Sequence, residues 1–393
     1  MSFEDVGVRE APLATQQEWL TVRSHLQQHR HELSVAAGDC YQAIPTVART
    51  ALLTRPEWLP VLPLEMDAIR MEWDSAEESS GREADLRSAV RNSCLVPRQS
   101  DGSPFRSYSA AMAELAAPAV FQNRSTYRLR LADLSGAAGA ARMRFTSGTY
   151  FDGIDLGEAC AHEYTASRLG RVPGTPLRDA IGTPCRLDRR PVNLAVATLV
   201  LRHDAATGCA QFPLHWRDPA KVGQAGGMYM VIPVGIFQPA SDCPGSRAND
   251  FSLWRCVLRE FAEELLGEAE NPDRTQPIDY AAWPVAVRLD EERRRGRVRT
   301  YALGLGTDPL TLATDLLTVM VIDSGLWDDL AVAMVTANTE GRLARPEGSA
   351  SPASTLFPFT ETGIDRTVQD LPLEVAGAAL LRLAWHHRRF LLN

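Results

Sequence analysis

Three glutamates, Glu260, Glu263 and Glu264, are spaced so that a helix carries all of them on one side. Each residue of an ideal helix turns about 100°, which gathers the three carboxylates within an arc of roughly 100°. Trp254, Val257, Leu258, Phe261 and Leu265 fill a neighbouring arc, so an apolar face adjoins a row of acids. Like charges at i,i+3 and i,i+4 repel by a few tenths of a kcal/mol per pair. A divalent cation relieves that repulsion, because Mg²⁺ is held by carboxylates, its own waters and substrate phosphates. The pattern therefore suits metal-assisted chemistry on a phosphate. The structural alternative is the solvated face of an amphipathic helix.

Ahead of this helix, residues 228–235 read MYMVIPVG, a short apolar strand running into a tight loop. Strand, glycine and acidic helix together resemble the Nudix superfamily, whose helix reads Arg-Glu-x-x-Glu-Glu-x-Gly. Arg259, Glu260, Glu263 and Glu264 match that core. There are departures. Counted from Gly235, the Arg-Glu pair arrives about ten residues late; counted from Gly245 the spacing fits, but Phe251 stands where a glutamate is expected. The closing glycine is one place late, with Leu266 in its slot and Gly267 after it. Gly235 is preferred as the loop glycine because a strand precedes it, which makes residues 241–250 an insertion.

The resemblance implies Mg²⁺ or Mn²⁺ on Glu260, Glu263 and Glu264. In that scheme Glu260 and Glu264 are the principal ligands, Glu263 is a third ligand or a base, and Arg259 is the brace. It also implies a nucleotide or nucleoside-diphosphate-linked substrate, cleaved at a phosphate-containing bond. Some members place a further catalytic glutamate in a late loop, and Glu340 occupies that place in chain order. The superfamily also contains ligand-sensing regulators and glycosidic-bond cleavers, so a degenerate sensor and an enzyme acting on a specialised nucleotide remain alternatives.

Other residues invite chemistry. Arg217, Lys221 and the glycines Gly223, Gly226 and Gly227 gather before the Nudix-like strand, where cations beside a glycine loop suit a phosphate-bearing ligand. A turn that needs left-handed residues accounts for the glycines equally well. Glu158, His162 and Glu163 lie in GEACAHEYTASRLG; HEYTA is not HExxH, since position 166 is Ala, so a zinc-protease reading fails. His162 and Glu163 are expected either on an ordinary helix or lining a pocket at the domain boundary. His25 and His29 are i,i+4, but no further ligand completes a zinc site.

The elements that must position these residues follow from periodicity. Residues 193–202, NLAVATLVLR, form a nearly continuous apolar run suited to a central strand, with 211–216 beside it. After the acidic helix, 284–289 (PVAVRL) and 300–305 (TYALGL) read as strands around a basic turn at 291–299. Residues 311–321 end as a strand, 326–335 form a helix, and 373–392 form a closing helix. The expected fold is α/β: a Nudix-like α/β/α sandwich on a mixed sheet over 191–393. Residues 1–190 are expected to be an α+β accessory domain that shapes the pocket or carries a homodimer contact. Within that half, 15–37 and 105–119 have helical spacing, 127–134 and 142–147 read as strands, and the proline-punctuated 51–73 wraps apolar side chains onto a core.

The chain has 393 residues, with 45% hydrophobic and 23% charged, as in globular proteins. A formal net charge of -8 argues against general nucleic-acid binding. Lys221 is the only lysine among 41 Lys and Arg residues, a bias that suggests a GC-rich genome. Seven dispersed cysteines without a CxxC pair, an acidic N-terminus unlike a leader, and no apolar run near the about 18 residues of a spanning helix set the remaining expectations. These are a cytoplasmic location with reduced thiols, no membrane partner and a small phosphorylated substrate.

Overall fold

The computed structural model describes residues 12–75, 81–91, 93, 95–118, 121–137, 139–218, 226–268, 275–338, 340–346 and 355–393. Its centre is the strand Leu194–Asp204, where every side chain from Leu194 to Leu201 is buried. A strand that is apolar on both faces must be covered on both, and this one is. It lies parallel to Thr314–Asp323, which pairs antiparallel with Val298–Thr307. On its other edge Cys209–Pro213 pairs with residues 202–204 and Val234–Ile236 with residues 195–197. Leu64–Glu65 and Leu356–Pro358 close the two edges of this seven-stranded mixed sheet.

The alternation of side chains across the central strand sorts the core into two layers. Leu194, Val196 and Val200 pack with Val257, Phe261 and Leu265 of the acidic helix, Leu253–Leu266, and with Leu289 and Leu326 from two further helices. Ala197, Leu199 and Leu201 pack on the opposite face with Ala376, Ala379 and Leu380 of the closing helix, Val375–His386. The result is a mixed α/β fold with helices on both faces of a mixed sheet.

One expected strand is a helix. PVAVRL opens the helix Pro284–Arg294, and the basic stretch after it is that helix's last turns rather than a hairpin. Alternating valines suggest a strand, but Pro284 at the first helical position loses no hydrogen bond and presets φ. Ala286 and Leu289, three apart, then turn inward together.

The first half contributes to the same core. Leu64–Glu65 is an edge strand of the main sheet. Leu53 and Thr307 exchange backbone hydrogen bonds of 3.0 and 2.8 Å. A second sheet of Arg70–Trp73, Arg142–Thr149 and Ser125–Asp133 is tied to the first where Tyr127 N donates to Phe237 O (3.1 Å) and Leu129 N to Val192 O (2.9 Å). Leu53, Trp58, Met66 and Phe145 are buried in one cluster with Phe237 and Phe261. A small third sheet, Gly341–Leu343, His215–Arg217 and Tyr229–Met230, brings Glu340 beside Arg217. No described helix is long and apolar enough to cross a membrane.

Candidate functional site

The acidic helix begins at Ser252, whose side chain accepts from Arg255 N, and ends at Gly267 in the left-handed conformation. The displaced glycine thus serves as the helix stop, and a Cβ there would meet Val335 at 2.7 Å. Glu260 and Glu264, one turn apart, face the strand Val234–Ile236, so Gly235, expected to be a loop glycine, is a strand residue paired with Val196 of the central strand. Val234 N donates to Glu264 Oε1 at 3.3 Å. Gly235 lies directly against Glu260, so a Cβ at 235 would stand 2.0 Å from the Glu260 carboxyl carbon. Glycine at 235 thus leaves room for the Glu260 side chain, whose carboxyl end would otherwise have to shift, with no positive φ involved. Glu263 is half-buried on the same helix.

Burial, and then the neighbouring carboxylates of Glu260 and Glu340, push the Glu264 carboxyl well above its ordinary range, against smaller opposing effects of the Val234 N–H and Arg217. Glu340, distant in sequence, thus joins the group through the small sheet. Asp218 N donates to Glu340 O at 3.0 Å, and Arg217 Nη2 lies 3.2 Å from Glu340 Oε2. Arg217 Nε is buried without a hydrogen-bond partner among the described residues. Lys221 and Gly223 lie outside the described residues.

Arg259 does not point at the carboxylates. Its Nη1 donates to Tyr280 Oη (2.8 Å) and its Nη2 to Gln238 O (2.7 Å). Tyr280 Oη donates in turn to Asp250 Oδ1 (2.9 Å), while Asp250 Oδ2 accepts from Ala240 N (2.8 Å). Arg259 thus braces the loop 238–250 against the helix. Phe251 replaces an acid with an aromatic wedge, its ring 5.1 Å from Tyr127 and 5.6 Å from Phe145.

Arg217 also borders a cavity of about 180 Å³ between the first half of the chain and the main sheet. The helix Tyr150–Arg168 supplies Tyr150 and Glu158; the start of the strand Thr314–Asp323 supplies Asp315; Glu374 precedes the closing helix. Glu158 is held by Arg23 Nη1 (2.8 Å) and Arg30 Nη2 (3.0 Å). Sequence reasoning passed over Asp315 and Glu374. The available signal was an isolated acid in the otherwise apolar strand run TLATDLLTVMV.

His162 and Glu163 do not line this cavity. His162 is buried against Trp19, at 5.7 Å between rings, with Nδ1 3.1 Å from Tyr108 Oη; burial lowers it to about 3. Glu163 accepts from Leu177 N (2.8 Å) and Arg178 N (3.0 Å), capping the helix Pro176–Ile181. Both are structural, because a charge buried this deeply must be satisfied or lost.

Among the described residues no three His, Cys, Asp or Glu side chains converge as a metal site. As arranged, Glu260, Glu263 and Glu264 do not fit a resident Mg²⁺ or Mn²⁺. Within the group, Arg217 and the Val234 N–H offset part of the crowding of negative charge.

No family model and no curated protein matches this chain. Comparison with solved structures finds the crystal structure of a NUDIX hydrolase from Alicyclobacillus acidocaldarius, 16% identical, covering 49% of this chain and 90% of that one, with a TM-score of 0.25. A likeness at that TM-score carries no argument about fold, family or function.

Proposed function

We propose that this protein hydrolyses a bond in a phosphorylated, nucleotide-like small molecule at the junction of the acidic helix and the cavity. The observation that carries the reading is the position of Arg217, between Glu340 on one side and the cavity on the other, with a buried Nε left over. A guanidinium that exchanges a carboxylate for a phosphate keeps the same bidentate geometry. Phosphate oxygens would displace Glu340 from Arg217 and free that carboxylate to orient a water. Arg259 acts through the loop it braces rather than by touching substrate. Gly235 leaves the space that Glu260 occupies.

The Nudix-like helix pattern implies that Glu260, Glu263 and Glu264 would hold Mg²⁺ or Mn²⁺, with Glu263 and Glu264 serving catalysis. Their arrangement does not present three convergent donors, so no step is routed through an ion. The same observation favours a second reading, in which the site binds its ligand without turnover and senses it.

Calorimetric titration of Mn²⁺ and of a nucleoside diphosphate into intact protein, Glu264→Gln and Arg217→Ala, with product analysis, separates these. Product formed by the intact protein and lost in Arg217→Ala supports the hydrolase, and Mn²⁺ binding weakened at least about tenfold in Glu264→Gln (roughly 1.4 kcal/mol) would overturn the misfit of the glutamates to a metal. Diphosphate binding that is lost in Arg217→Ala, without any product, selects the sensor. Diphosphate binding that ignores Arg217 removes both.

A further inference from the structure

We propose that the cavity receives a planar small molecule bearing a basic amino or amidine group, which Asp315 and Glu374 hold between them. Asp315 is 7% exposed and faces the cavity, yet its carboxyl has no hydrogen-bond or ion-pair partner among the described residues. Buried polar groups are almost always satisfied, so an acid without a partner on a cavity wall marks a missing donor.

The surroundings decide the sign of that donor. The charged groups acting on Asp315 are Glu374 and Asp308, both negative. The cavity's arginines are engaged elsewhere. Arg30 is on Glu158; Arg190 donates to Pro184 O (3.0 Å) and Thr314 Oγ1 (2.9 Å); Arg217 is on Glu340. Asp308 is spent on the backbone, its Oδ1 accepting from Leu310 N and Thr311 N at 2.7 Å each. Glu374, at the start of the closing helix, makes no side-chain cap. Two acids therefore remain without donors. Burial raises both carboxyls; Glu374 and Asp308 push Asp315 further up, whereas on Glu374 the lowering by Arg217 comes ahead of the rise from Asp308, and Arg30 lowers it too. A cation between the two acids would supply the positive charge that their negative surroundings lack.

The shape of the ligand follows from the walls. Ile154, Leu156, Leu312 and Ala376 give a lining of mixed polarity an apolar stretch, which suits a flat, weakly hydrated body behind the charged head. An amidinium also matches a carboxylate with two parallel N–H donors, as a guanidinium does.

The probes are benzamidine, a planar cation, and benzamide, its neutral counterpart of equal shape. They are titrated calorimetrically near pH 7 into the full chain, Asp315→Asn and Glu374→Gln, in buffers of different ionisation enthalpy. Benzamidine should bind at least about tenfold tighter than benzamide, a margin of ~1.4 kcal/mol, and the buffer comparison reads any proton exchanged on binding. Either substitution should erase the preference. Equal binding of the two probes, or a preference that survives both substitutions, overturns the proposal and leaves a structural acid pair. Glu374 is only half-buried at a helix start, so Glu374→Gln decides the matter should Asp315→Asn fail to fold. Neither probe carries phosphate, so a negative result leaves the role proposed for Arg217 untouched.

Discussion

Asp315 is an acid in the wrong solvent, and its cost can be read from pH. A carboxyl raised in the folded chain holds its proton more tightly when folded than when unfolded. The resulting stability is present below about pH 4, the ordinary Asp value, and is lost as pH rises toward the folded value. The limiting slope is about 1.4 kcal/mol per pH unit for each such group. Asp315→Asn should therefore be more stable than the wild type at pH 7, with the difference shrinking as pH falls toward 4. Urea unfolding at several pH values measures this; a difference independent of pH would mean that Asp315 is not raised.

At the scale of elements, the acidic helix and the strand Val234–Ile236 meet closely where Gly235 lies against Glu260. Gly235→Ala would place its Cβ 2.0 Å from the Glu260 carboxyl carbon. One of the two must move, and overpacking of this kind costs about 1–3 kcal/mol. The urea midpoint should fall accordingly, while Glu260→Ala in the same background should restore most of it. Failure of that rescue would show that another neighbour, rather than Glu260, meets the added carbon.

The helix itself was legible, because Ser252, Gly267 and an apolar stripe announce its start, its stop and its buried face. The central strand was legible for a related reason, since a run as apolar as LAVATLVL can only be covered twice. PVAVRL was misread because five residues of alternating valine look alike in either state, and only the proline's position tells them apart. Arg259 was expected to brace the three glutamates; it holds Tyr280 and Gln238 O instead, and those partners lie outside any local motif. The Asp315–Glu374 pair had no spacing to betray it, being joined only by the way the closing helix returns to the sheet.

At the scale of the whole molecule, the wrapping segment 51–73 is one of the ties between the halves. Leu52, Leu53 and Trp58 are buried as its prolines led one to expect, and Leu64–Glu65 completes an edge of the main sheet. Division at residue 190 remains a proposal about organisation, but a core shared across it predicts joint unfolding. Calorimetric melting should show one transition. Trp58→Ala, at a cost of about 3–5 kcal/mol, should lower that transition without splitting it. Two separable transitions would restore the picture of independent domains.

The cavity's walls come from the second helix, Arg30–Ala37, from Tyr150–Arg168, from the loop between two central strands, and from the residue ahead of the closing helix. A molecule seated there is in effect a removable cross-link between segments more than 340 positions apart. At a hundred times its dissociation constant such a molecule adds about 2.7 kcal/mol to the folded chain. The melting temperature of this protein should therefore serve as a gauge of cavity occupancy, and a search for the natural occupant can begin with a thermometer.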